Sequence, residues 1–169
     1  MNFTVQPDVI ISDVRVNIPA PINYPATGSP YGATGMSDMR SFITADINGD
    51  GYLDIFFHPS HFSYGPALSP IVLLNNGKGG FFVGSAQVFK TPPLLQQTNN
   101  VFFEDFNGDG RLDLFVVDQG LELHGKDGNS WDGSTNKLFL QGSDGFLNDV
   151  SATIPHNAPN FNHVSTLAD

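Results

Sequence analysis

Side-chain oxygens recur at alternate positions in two short stretches, DINGDGYLD at 46–54 and DFNGDGRLD at 105–113. Each has a carboxylate or carboxamide at loop positions 1, 3 and 5, Gly at 6 and Asp at 9. A tight turn can aim alternate residues at one centre, and Gly at position 6 permits the φ that wraps the chain around it. Asp46, Asn48, Asp50 and Asp54 would supply side-chain oxygens in the first loop, and Tyr52 its backbone carbonyl. In the second loop Asp105, Asn107, Asp109 and Asp113 take those roles, with Arg111 giving the carbonyl. An all-oxygen shell of six or more ligands selects a hard cation, and a crowded, flexible loop favours Ca2+ over Mg2+. Three carboxylates in one small turn repel each other until a cation offsets them. The expected cofactor is therefore Ca2+, about two ions per chain.

The elements that must hold these loops form an internal repeat. FITADINGDGYLDIFF at 42–57 matches VFFEDFNGDGRLDLFVV at 101–117, with Asp46 and Asp105 separated by 59 positions. Downstream, VLLNNGKGGF at 72–81 matches KLFLQGSDGF at 137–146, each reading as a strand, a Gly-containing turn and a strand beginning at an aromatic. FNHVSTLAD at 161–169 aligns with the run-in to each loop and places Asp169 at loop position 1, which suggests a cut through a longer array. Each unit offers four strands: the run-in, the strand leaving the loop, and two hairpin arms. Four short strands in roughly 60 residues is the size of one antiparallel propeller blade. Helical periodicity is absent.

The expected fold is all-β, a partial β-propeller of about two four-stranded antiparallel blades plus the start of a third. Its expected divisions are an N-terminal strand and Pro/Gly-rich loop at 1–40, repeats at 41–100 and 101–160, and a third beginning at 161–169. Repeats need neighbours to bury their faces, so neighbouring blades or another chain are expected partners.

The DxNxDGxxDL loops, with NNGKGGF and QGSDGF, resemble the FG-GAP/VCBS repeats of integrin-α-type seven-bladed β-propellers. The resemblance runs from Phe42 to Asp169 and leaves 1–40 without a match. It implies a loop joining the first two strands of each blade and binding Ca2+. It also implies a structural or interaction role in a larger cell-surface or secreted protein, with a protein or glycan partner. A lectin-like module and a non-catalytic or partial scaffold of a polysaccharide-processing enzyme are the alternatives it leaves open.

Composition narrows the classes. Seventeen acidic against seven basic residues give a net charge of -10, with no basic patch to displace phosphate counterions, so nucleic acid is not an expected partner. No apolar run is long enough for a membrane-spanning helix. No cysteine is present, which removes disulfides and thiolate metal sites. No basic stretch followed by an apolar segment opens the chain, although an extracellular setting would suit weak calcium modules.

Other chemistry-bearing residues read more plainly as loop or strand positions. His58 and His61 have a spacing usable by zinc but no evident third ligand. Glu104 beside Asp105 has Ala45 as its counterpart in the first unit, and no opposed second carboxylate is visible. His124, His156 and His163 lack a nucleophile partner, and no catalytic residues are expected. The insert at 121–137 holds the only Trp. There Trp131 could stack on a sugar, with Asp127, Asn129 or Asp132 hydrogen bonding to it.

Overall fold

The computed structural model describes residues 41–58, 67–95, 97–119, 121–124 and 131–159. The fold is all-β, built on two antiparallel four-stranded sheets, neither of which closes on itself. In the first sheet β1 (Ser41–Ala45), β2 (Asp54–His58), β3 (Ile71–Asn75) and β4 (Phe81–Val83) lie side by side in chain order. A one-turn helix, α1 (Ser85–Val88), follows β4. The second sheet runs β5 (Thr98–Glu104), β6 (Asp113–Asp118), β9 (Lys137–Gln141), β10 (Leu147–Asp149). The insert between β6 and β9 forms its own hairpin from β7 (Leu121–His124) and β8 (Trp131–Asp132). β5 begins at Thr98, just ahead of the repeat boundary expected at 100/101.

The sequence explains these strands through their period of two. In β2 the residues alternate between buried and half-buried, placing Asp54, Phe56 and His58 on one face. That face meets the second sheet. Ile47, Phe56, Val72 and Leu74 pack with Val101, Phe103, Leu114, Val116, Phe139 and Leu147 in one core. Val88, Phe89 and Leu95, from the segment joining the repeats, complete it. Phe56 meets Phe103 edge-on at 5.4 Å, and Phe89 meets Phe139 at 5.7 Å, geometry that suits the ring quadrupoles. Full burial of side chains this large stabilises by about 1.5–3 kcal/mol each.

The two sheets repeat each other residue by residue. Phe56 pairs with Val72 as Phe115 pairs with Leu138, and Ile55 with Leu73 as Leu114 with Phe139. Ser85 Oγ accepts the Val72 N–H at 2.9 Å, and Ser151 Oγ accepts the Leu138 N–H at 3.0 Å. Ser151 opens a 3-10 turn, Ser151–Thr153, where the first repeat has α1.

One expectation is corrected by a residue. The match of 72–81 with 137–146 set Phe146 level with Phe81, at the start of the returning strand. In the structure Phe81 pairs with Asn75 and Leu147 with Gln141, so the returning strand begins at Leu147. Phe146 instead stays in the turn, its carbonyl accepting the Gly142 N–H at 2.9 Å as Gly80 accepts from Asn76 at 2.9 Å. Burial decides the matter, because a one-residue slip would turn Leu147 out of the core it occupies.

Candidate metal centre

Both aspartate loops join the first strand of a sheet to the second, β1 to β2 and β5 to β6. Gly49 and Gly51 take φ of 73° and 87°, and Gly108 and Gly110 take 76° and 85°. Only glycine adopts that region at little cost, so the spacing of the loop depends on them. Within the first loop the oxygens turn inward onto the loop's own amides. Asp46 accepts the N–H groups of Asp50 and Gly51 at 2.9 Å each, and Asn48 Oδ1 accepts that of Asp50 at 3.1 Å. Asp50 Oδ1 accepts the Tyr52 N–H at 2.9 Å.

The second loop copies this set. Asp105 accepts from Asp109 at 3.0 Å and Gly110 at 2.7 Å, Asn107 Oδ1 from Asp109 at 3.0 Å, and Asp109 Oδ1 from Arg111 at 3.0 Å. Asp105 also takes the Gly108 N–H at 2.8 Å. Those donors, Gly110 first, hold the Asp105 carboxyl below its ordinary pKa.

The position-9 aspartates behave differently from the exposed or half-buried oxygen-donor residues ahead of them. Asp54 and Asp113 are fully buried. Asp54 accepts the Ile47 N–H at 3.0 Å through one oxygen and the Asn75 N–H at 2.8 Å through the other. Asp113 does the same with Phe106 at 3.0 Å and Gln141 at 2.8 Å. Each carboxylate therefore ties the start of its loop to the third strand of its sheet. Burial pushes the Asp54 carboxyl above its ordinary pKa, against the pull of the backbone donors from Asn75 and Ile47. Asn75 and Gln141 lie far from the loops in sequence, and only the common offset between repeats hints at their part.

At loop position 7 the sequence assigns a role only to the backbone carbonyls of Tyr52 and Arg111, not to their side chains. The structure uses the side chains as well. The Tyr52 ring lies over the β3–β4 turn, where a Cβ on Gly77 would come within 2.8 Å of it. Arg111 reaches the equivalent turn, its Nε donating to the Gln141 carbonyl at 2.8 Å, while its other end pairs with Asp109 Oδ2. The second loop thus carries a cation at its own rim and the first does not.

The donor set suits a hard cation: inward oxygens, no nitrogen or sulfur, and a glycine turn at position 6. A carboxylate oxygen that accepts one N–H keeps a further lone pair, so the inner hydrogen bonds and coordination are compatible in part. As the loops stand, the carboxylates close on backbone amides. Among the described residues no group of three or more His, Cys, Asp or Glu is gathered in a metal-holding arrangement.

The remaining sequence candidates scatter. His58 is buried at the end of β2, and His61 lies outside the described residues. Glu104 is exposed at the end of β5, opposite Asp113. His124 ends β7, His156 is exposed with φ 55°, and His163 lies outside the described residues. Trp131 and Asp132 form β8, whereas Asp127 and Asn129 lie outside the described residues. No helix among the described residues is long and apolar enough to cross a membrane.

No protein-family model matches the chain, nor does any curated protein or solved structure.

Proposed function

We propose that the chain is a calcium-binding module of propeller-like repeats, with a structural or interaction role in a larger surface or secreted protein. The observation that supports this best is the duplication of the loop in three dimensions. Two loops share the same oxygen donors, the same paired positive-φ glycines and the same buried aspartate link to a third strand. Chance Asx-rich turns would not be expected to repeat the distant link as well as the local one.

In this reading Asp46, Asn48, Asp50 and Asp54 hold one ion with the Tyr52 carbonyl, and Asp105, Asn107, Asp109 and Asp113 hold another with the Arg111 carbonyl. An ion there neutralises clustered carboxylates and competes with the loop's internal hydrogen bonds, so its gain is the difference between the two. Because Asp54 and Asp113 also bond to β3 and β9, stiffening the loop stiffens the sheet. The sheets are then blades, each bound to its neighbour by the apolar face between them.

Calorimetric titration of calcium into chelator-treated protein tests the reading. The expected stoichiometry is about two ions per chain, falling to about one for either Asp50→Ala or Asp109→Ala and to none for both. Wild-type protein that is folded by circular dichroism and takes up no calcium would sink it.

A further inference from the structure

A path of hydrogen bonds joins the two aspartate loops through their position-9 carboxylates. Asp54 Oδ2 accepts the Ile47 N–H at 3.0 Å, and the Ile47 carbonyl accepts the Gln141 side-chain amide at 2.7 Å. The Gln141 N–H then donates to Asp113 Oδ1 at 2.8 Å. Asp54, Ile47, Gln141 and Asp113 are all buried, so water does not compete for these bonds, and breaking one strands a polar group.

Each end of the path lies within a loop. Ile47 stands between Asp46 and Asn48, so the peptide group arriving from Asp46 is held by Asp54 and the one leading to Asn48 by Gln141. At the other end the Gln141 carbonyl accepts Arg111 Nε at 2.8 Å, so this residue touches positions 7 and 9 of the second loop. Asn75 holds the equivalent place in the first sheet, its N–H donating to Asp54 at 2.8 Å. Its side-chain amide donates to the Leu53 carbonyl at 3.1 Å, within its own repeat. Gln141 is one methylene longer and meets the loop of the other repeat instead.

We propose that Gln141 couples the two loops, so that filling either one with calcium raises the affinity of the other. The inference rests on the calcium reading of the loops. An empty loop closes on its own amides and a filled one turns those oxygens to the cation, so each loop has two arrangements that the path can transmit. Filling one loop orders its end of the path, and the other loop then fills with part of that ordering already done. Linkage makes the effect reciprocal. The constant of each loop measured with the other disabled is unaffected, because coupling shows only when both are filled. Gln141 is a positioning residue, acting through Ile47 and Asp113 and ligating nothing itself.

Calorimetric calcium titration of wild type, Asp50→Ala and Asp109→Ala, repeated with Gln141→Asn in each, reads the coupling. The overall two-ion association constant of wild type should exceed the product of the two single-loop constants by about fivefold or more. With Gln141→Asn the product should account for the whole, because the shorter amide no longer meets Ile47. If that variant loses its β-sheet circular dichroism, Gln141→Met, of similar length and without the donor, takes its place. Amide hydrogen exchange gives a reading that lost stability alone would not. In Asp50→Ala, where only the second loop fills, calcium should slow exchange at Gly51 of the first loop more than at Val72 in the core. Replacing Gln141 should remove that excess. Wild type whose two ions bind with the single-loop constants would overturn the proposal and leave the calcium reading standing. Coupling that survives replacement of Gln141 would overturn it too. Folded wild type that takes up no calcium would remove the proposal and the reading together.

Discussion

Replacing Asp54 by Asn separates the structural work of the position-9 aspartate from any work it does for an ion. The side chain keeps its shape but loses one acceptor, and two backbone donors, from Ile47 and Asn75, converge on it at 3.0 and 2.8 Å. One of those N–H groups must then face the amide NH2. A buried donor left without a partner costs about 1–3 kcal/mol. Part of this returns, because burial already disfavours the ionised carboxylate, as its raised pKa shows, and a neutral amide avoids that desolvation. Protonation alone is a milder change, since the hydroxyl oxygen of the acid still has a lone pair to offer the N–H. A net loss of about 1–2 kcal/mol follows, which for a chain of this size lowers the melting temperature by roughly 2–8 °C. Calorimetric melting in chelator measures it without calcium. Asp50→Asn is the control, because it keeps an oxygen for the Tyr52 N–H and lies exposed on the loop. It should melt with wild type in chelator and fall behind only when calcium is added. Asp54→Asn melting with wild type in chelator would refute the reasoning, since the buried link would then contribute nothing.

Arg111→Gln should tighten calcium at the second loop and leave the first unchanged, because the Arg111–Asp109 pair must loosen before Asp109 can coordinate. A partly exposed pair contributes about 0–1 kcal/mol, so the dissociation constant should fall by no more than about fivefold, read by the same calorimetric titration. Lys90 bridges to Asp144 at 2.7 Å, joining the segment after α1 to the β9–β10 turn, and this hydrogen bond lowers the Asp144 pKa. A depressed folded-state pKa means stability that is present above the ordinary carboxylate value and lost as pH falls through the folded one. The gap in denaturant midpoint between wild type and Asp144→Asn should therefore be open at neutral pH, close on acidification and shrink with salt.

The loops were legible because their requirement is local: alternate oxygens, glycine at position 6 and an acid at 9 within nine residues. The division into four strands per sheet was legible for a similarly local reason, short apolar runs bounded by turn residues, of which β2 alternates while β3 is buried along four successive positions. What sequence could not reveal was contact between distant positions. Nothing near Asp54 indicates that Asn75 will donate to it, because β3 returns only after the insert at 58–70. The hairpin register was misread because GGF and DGF look alike, whereas the turn places Phe146 where the first repeat has Gly80. Phe146 lies beneath the Lys90 ammonium at 5.1 Å instead of starting a strand, a contact supplied by the other repeat. The helix α1 is a single turn, too short to leave a periodic signal.

Gln141 gives one feature a wider consequence. Its side-chain amide donates to the Ile47 carbonyl at 2.7 Å, so the second repeat holds the first repeat's loop from outside. Ile47 is buried there, while its counterpart Phe106 is 38% exposed. Two loops of nearly one sequence are therefore unequal in mechanical terms. The upstream loop is clamped by its downstream neighbour, whereas the described hydrogen bonds of the downstream loop stay within its own repeat. Rigidity is handed backward here, from the second repeat to the loop of the first.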